Sequence, residues 1–124
     1  MPPTHKILLV EDDPFLLDMY STKFQEVGFT ISAAQDGDTA LVKAQEELPD
    51  LILLDIVLPK KDGFAVLKTL KSQSQTAKIP VILLTNLGLD GDVKRGLELG
   101  AASYIVKAHF TPTEVVAKVK EILK

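Results

Sequence analysis

The chain contains no cysteine, which excludes disulfides and thiolate metal sites. No stretch approaches the roughly 20 apolar residues of a membrane-spanning helix. The opening residues, Met1-Pro2-Pro3-Thr4-His5, are too short and polar for a secretory signal, so a cytoplasmic location is expected. Basic charge is not in excess: 14 Lys and Arg stand against 17 Asp and Glu, so direct nucleic-acid binding is not expected. Low-complexity segments and internal linkers are also missing. What is present is 124 residues, 46% of them hydrophobic, enough to build one core. A single domain over residues 1–124 is expected, with an ordered core over about 5–124.

The chain is organised around Leu51-Ile52-Leu53-Leu54-Asp55-Ile56-Val57-Leu58-Pro59-Lys60-Lys61-Asp62-Gly63. A short continuous apolar run bounded by Pro49-Asp50 and Pro59 reads as a strand buried on both faces. Asp55 then stands at the strand's carboxyl end, the edge where open α/β sheets bind ligands. Leu58-Pro59 forces an extended or turn geometry, and Asp62-Gly63 turns the chain into a helix.

The same alternation repeats along the chain. Lys6 to Val10 is a second apolar strand, ending in Glu11-Asp12-Asp13. Asp13-Pro14 starts a helix with Leu16, Tyr20, Phe24 and Val27 on one face, closed by Gly28. A weaker strand, Phe29 to Ala34, precedes a helix opened by Asp36-Gly37-Asp38. Phe64, Leu67 and Leu70 mark a third helix, followed by a polar loop over 72–76. Val81 to Leu84 forms the fourth strand, with Thr85 at its end. Gly96 lies inside the next helical pattern at a cost of about 1 kcal/mol relative to Ala, which predicts the least rigid helix of the domain. Ser103 to Val106 is the last strand, ending at Lys107, and Thr111-Pro112-Thr113-Glu114 is a capping box. Strand and helix alternating five times predict a parallel sheet with helices on both faces and right-handed crossovers. Strand order is not given by the pattern.

In a parallel sheet these strand ends share one edge. Glu11, Asp12, Asp55, Thr85 and Lys107 therefore converge. Carboxylates gathered at one point repel unless a cation sits among them, and an all-oxygen set suits Mg2+. A lysine and a hydroxyl beside that ion suit phosphoryl oxygens, and Asp55 is the natural acceptor.

With these residues in place, the chain resembles the receiver domains of two-component response regulators over nearly its whole length. The matching pieces are Glu11-Asp12-Asp13, Asp55 with Leu58-Pro59 and Asp62-Gly63, Thr85, and Tyr104-Ile105-Val106-Lys107. The resemblance implies a flavodoxin-like (βα)5 three-layer sandwich with strand order 2-1-3-4-5. It implies that Asp55 takes a phosphoryl group from the phosphohistidine of a sensor histidine kinase or phosphotransfer protein. Asp12 and the backbone carbonyl of Val57 would ligate Mg2+, with Glu11 acting through water. Thr85 and Lys107 would hold phosphoryl oxygens. Thr85 and Tyr104 would switch, changing the face made by the fourth helix, fifth strand and fifth helix for a downstream protein. Such a protein catalyses only its own phosphorylation and dephosphorylation, and is a monomer or a weak phosphorylation-dependent dimer.

The sequence departs from the family pattern in three places. Ala108 follows the lysine where relatives usually have proline, and Phe110 comes one residue late. Asn86 replaces a very small residue after the threonine, where it would narrow access to Asp55 or bond the phosphoryl group. Val57 and Leu87 are apolar where many relatives are polar. The Lys107-Ala108 peptide is expected to be trans, because a non-proline cis bond costs ~2.5–4 kcal/mol. Among rival functions, an aspartate-nucleophile phosphatase would carry a second acid at position 57, and a flavin carrier would not place three acids at its phosphate loop. A receiver-like adaptor that works without phosphorylation is the third rival. His109 reads as an ordinary loop residue, His5 as part of a mobile tail, and Asp90-Gly91-Asp92 as a helix start rather than a calcium loop.

Overall fold

The computed structural model describes residues 5–123. The expected tail residues 1–4, and Lys124, lie outside the described residues. Five strands alternate with five α-helices: β1 (Lys6–Val10), α1 (Pro14–Glu26), β2 (Thr30–Ala34), α2 (Gly37–Glu47), β3 (Leu51–Leu54), α3 (Gly63–Ser72), β4 (Val81–Thr85), α4 (Asp90–Glu98), β5 (Ser103–Val106) and α5 (Pro112–Ile122). A 3-10 turn, Lys107–His109, links β5 to α5. All strand pairings are parallel, in the order β2-β1-β3-β4-β5. This is the flavodoxin-like arrangement that the resemblance implied.

The sheet is buried on both faces, so alternate residues of each inner strand feed two separate cores. Leu8, Val10, Ile52, Leu54, Val81 and Leu83 face α2 and α3, meeting Ala40, Ala44, Phe64, Leu67 and Leu70. Ile7, Leu9, Leu51, Leu53, Ile82 and Leu84 face α1 and α5, meeting Tyr20, Phe24, Val115 and Val119. Truncating any of these leucines to alanine removes a fully buried side chain, at a cost of about 2–5 kcal/mol. The result is a three-layer sandwich. Edge strand β2 is the weaker one expected, with only Ala34 fully buried.

Helix starts follow local chemistry. Asp13 Oδ1 accepts from the N–H groups of Phe15 (2.9 Å) and Leu16 (3.4 Å), and Pro14 occupies the first turn. Asp36 and Asp62 cap α2 and α3 at 2.8 and 3.0 Å. Thr111 and Glu114 form both bonds of the capping box, at 2.9 and 3.1 Å. Of the five α-helices, α4 alone lacks a side-chain cap, since Leu89 stands at that position. That supports the expectation that α4 is the least stable of them.

Two expectations are revised. His5 is not a free tail residue: its carbonyl accepts from Thr30 N–H at 3.0 Å, and its ring lies 6.3 Å from that of Phe29. Gly96 is more than a weak point in α4. A Cβ there would collide with Leu83 and come within 3.1 Å of the Tyr104 ring, so the missing side chain is what lets α4 lie against the sheet.

Candidate functional site

The carboxyl ends of β1, β3, β4 and β5 open into one pocket of about 400 Å³. Its acidic wall is Glu11, Asp12 and Asp13, its floor is Asp55, and Thr85 and Lys107 close the far side. Val57, Asn86 and Leu87 complete the rim together with Leu16 of α1. The structure thus brings together every strand-end residue singled out from the sequence except Tyr104, which sits beside the pocket.

The floor is held by backbone geometry. Asp55 N–H continues the ladder to Val10 C=O at 3.1 Å, and Val57 N–H donates to Asp55 Oδ1 at 3.1 Å. The chain then doubles back, with Gly63 N–H donating to Ile56 C=O at 2.7 Å. A Cβ on Gly63 would run into the carbonyl of Asp55, so only glycine allows the loop to fold this tightly onto the acceptor strand. Between them, Lys61 N–H bonds to Pro59 C=O at 2.8 Å across Lys60, which takes φ +70°. Such a conformation is sparsely populated for non-glycine residues and is held here by its surroundings. Lys60 also lies 3.8 Å from Asp36, and the loop packs on Gly37 of α2.

Lys107 is the electrostatic centre. Its ammonium lies 2.6 Å from Asp55 Oδ2 and is hydrogen-bonded to Glu11 Oε1. All three side chains are almost wholly buried. Burial by itself would pull the lysine down, but its bonds and charges with Asp55 and Glu11 outweigh it and hold the ammonium above its usual range. Burial dominates at Glu11 and pushes its carboxyl up despite Lys107 and the N–H of Asp13. One carboxylate oxygen from each of Glu11, Asp12 and Asp55 lies within 4.8 Å of the others, and Asp12 is the exposed member. An all-oxygen set of this kind fits a hard divalent cation. Asp13 is turned away from that role by capping α1.

Thr85 is fully buried, and its hydroxyl accepts from Leu87 N–H at 3.4 Å. Tyr104 donates its hydroxyl to Leu87 C=O. Burial, then the charges of Asp92 and Asp55, push its phenol up to about 12. The Lys107–Ala108 peptide is trans, as expected. Asn86 has a role the sequence did not suggest: its Oδ1 accepts from Ala108 N–H at 3.1 Å. Arg95 of α4 stacks over the Phe64 ring at 4.3 Å, another contact that sequence spacing does not reveal.

Comparison with known proteins agrees with this architecture. A family model described as the response regulator receiver domain matches residues 7–120. The chain is 42% identical over 119 residues to the phosphate regulon transcriptional regulatory protein PhoB of Escherichia coli, covering 96% of this chain and 52% of that protein. It is equally identical to the alkaline phosphatase synthesis transcriptional regulatory protein PhoP of Bacillus subtilis, covering 48% of that protein. The chain therefore spans about half the length of these curated relatives. Among solved structures, a putative response regulator from Chloroflexus aurantiacus superposes with a TM-score of 0.91 at 32% identity, covering 98% of each chain. Chemotaxis response regulator CheY4 of Vibrio cholerae gives 0.90 at 30% identity, covering 97% of this chain and 99% of that one. No helix among the described residues is long and apolar enough to cross a membrane. On the sequence match, the strand order and the fold likeness together, the chain belongs to the response regulator receiver domain family.

Proposed function

We propose that the protein is a phosphorylation-dependent switch in which Asp55 accepts a phosphoryl group from a phosphohistidine. The donor is a sensor histidine kinase or a phosphotransfer protein. The observation that carries this reading is the floor of the pocket, where Asp55 lies among two further carboxylates with one ammonium 2.6 Å from its oxygen. Bound Mg2+, held by Asp12, Asp55 and the Val57 carbonyl with Glu11 acting through water, would neutralise charge on the phosphoryl oxygens. An Asp55 oxygen forms the new bond to phosphorus. The phosphorus–nitrogen bond to the donor histidine breaks, and its electron pair stays on the imidazole. Lys107 pairs with a phosphoryl oxygen, and the Thr85 hydroxyl donates to another.

The signal leaves through the segment after Thr85. Tyr104 is bonded to the carbonyl of Leu87, two residues after Thr85, so movement of Thr85 toward a phosphoryl oxygen pulls on Tyr104 through that carbonyl. That alters the face of α4, β5 and α5, where a downstream protein binds. The uncapped α4 suits a switching role. The only reactions catalysed are phosphorylation and dephosphorylation of Asp55 itself, and the protein is a monomer or a weak phosphorylation-dependent dimer. Intact-mass analysis with phosphoramidate and Mg2+ tests the acceptor: one phosphoryl adduct is expected on the parent and none on Asp55→Asn. Equal labelling of the two refutes the assignment.

A further inference from the structure

We infer that Asn86 is a positioning residue for Lys107, acting through a side-chain clamp on the backbone of Ala108; this rests on the phosphoacceptor reading of Asp55. The ladder between β4 and β5 ends at the pair Thr85↔Val106. Beyond it the two chains diverge into the 86–89 and 107–111 loops. Among the described residues, one hydrogen bond joins these loops: Ala108 N–H to Asn86 Oδ1 at 3.1 Å. The atom facing an N–H must be the amide oxygen, since the NH2 group cannot accept.

The placement of this bond gives it consequence. Asn86 follows Thr85 directly and Ala108 follows Lys107 directly, so both groups that would hold phosphoryl oxygens are one residue from the clamp. Among the described residues β5 is an edge strand, paired only with β4. Lys107 leaves it through a short 3-10 turn, closed by Phe110 N–H on Lys107 C=O at 3.3 Å. A long side chain on such a mount reaches Asp55 reproducibly only if its backbone is fixed. Asn86, Leu16 and Lys107 each line both the acidic pocket and a second, mainly apolar cavity of about 270 Å³ that also touches Met19, Tyr20, Ala108 and Phe110. Loss of the clamp lets the Lys107 turn relax toward that space. The bond requires an N–H at position 108, which proline would not supply.

Phosphorylation rates with phosphoramidate at saturating Mg2+, Mg2+ affinity from calorimetric titration, and exchange of the Ala108 amide proton test the inference. Asn86→Ala and Ala108→Pro each remove the bond. Both are expected to slow Asp55 labelling about tenfold, as a misplaced catalytic group does, with Mg2+ affinity within twofold of the parent. The double variant should be no slower than the slower single one, and Asn86→Ala should have no further effect when added to Lys107→Ala. Exchange at Ala108 should accelerate in Asn86→Ala. A parent that is not labelled overturns the phosphoacceptor reading and this inference with it. A labelled parent with Asn86→Ala reacting at the parental rate, or a tenfold loss persisting in the Lys107→Ala background, overturns the clamp alone.

Discussion

Replacing Lys107 by methionine keeps the length of the side chain and removes its charge, leaving two buried carboxylates facing each other. The side chains of Lys107, Glu11 and Asp55 are 8%, 3% and 8% exposed, so water does little to screen the loss. With the carboxylate oxygens of Glu11 and Asp55 within 4.8 Å, repulsion at an effective dielectric of about 20 is at least about 3.5 kcal/mol. Protonation offers an exit. For a carboxyl at its ordinary 4.5, taking a proton at pH 7 costs about 3.4 kcal/mol, the work of 2.5 pH units at about 1.36 kcal/mol each, and burial, which raises Glu11, makes the cost smaller. The two figures are comparable, so loss of the ammonium pushes the Glu11 carboxyl further up and protonation absorbs part of the repulsion. Relief from burying an ammonium recovers part of the cost. The expected destabilisation at pH 7 without divalent cation is about 2–3 kcal/mol. A carboxyl raised in the folded state contributes stability that is complete below its unfolded value and lost as pH rises through the folded one. The gap between variant and parent should therefore shrink to under about 1 kcal/mol at pH 5. Urea denaturation followed by far-ultraviolet circular dichroism measures it at both pH values. A gap that stays below about 0.5 kcal/mol at pH 7, or does not change with pH, refutes the counter-ion argument.

Three further expectations can be checked. Asp12→Ala relieves repulsion and weakens cation binding together, so the metal-free variant should melt about 2–4 °C above the metal-free parent while gaining less from Mg2+; an unchanged Mg2+ response sinks the assignment of Asp12. Tyr104, at about 12 against an ordinary 10, contributes stability that is complete below pH 10 and lost between pH 10 and 12. Burial raises Tyr20 as well, so Tyr104→Phe should remove one of two late phenolates from the high-pH absorbance rise, and a rise of unchanged amplitude contradicts the attribution. Val57 and Leu87, 59% and 36% exposed on the pocket rim, offer attacking water no hydrogen bond, so phospho-Asp55 should decay faster in Val57→Asn combined with Leu87→Glu, as timed at fixed Mg2+.

The sheet was legible because a parallel strand buried on both faces must be apolar at every position, as Leu51 to Leu54 and Val81 to Leu84 are. Alternation between the two cores adds no pattern on top of that, since both faces require the same residue types. Helix starts were legible where an acid or threonine caps through its own side chain, at Asp13, Asp36, Asp62 and Thr111. Gly96 was legible only as a helix weakener. What gives it a packing role is the proximity of Leu83 and Tyr104, which come from two other strands, and no spacing along α4 encodes that. The polar loop after α3 hid a comparable surprise. Thr76 is fully buried and donates to Leu70 C=O at 2.7 Å, while Lys71 reaches Ala77 C=O and Ile79 C=O at 3.1 and 2.8 Å. Those bonds run from side chain to backbone, so they leave no trace in hydrophobic periodicity.

The site divides along the same line. Its charged members could be gathered from sequence because each stands at the end of a strand, and a parallel sheet places all such ends on one edge. Position alone did not say how they would share charge. Lys107 bonds Glu11 as well as Asp55, so one ammonium serves two of the three carboxylates while Asp12 remains exposed. The supporting contacts were harder still. Gly63 read as a turn residue, but its necessity comes from the Asp55 carbonyl lying where a Cβ would be. Asn86 and Ala108 looked like two unrelated departures from the family pattern. In the fold they are partners, since the asparagine oxygen takes the N–H that a proline at 108 would not have carried. A proline there would leave that exposed oxygen to water, and a very small residue at 86 would leave the N–H to water, so either change alone loses the loop-to-loop bond. The two departures are thus joined by one bond, and the closeness of two loops 22 residues apart is what makes that pairing visible.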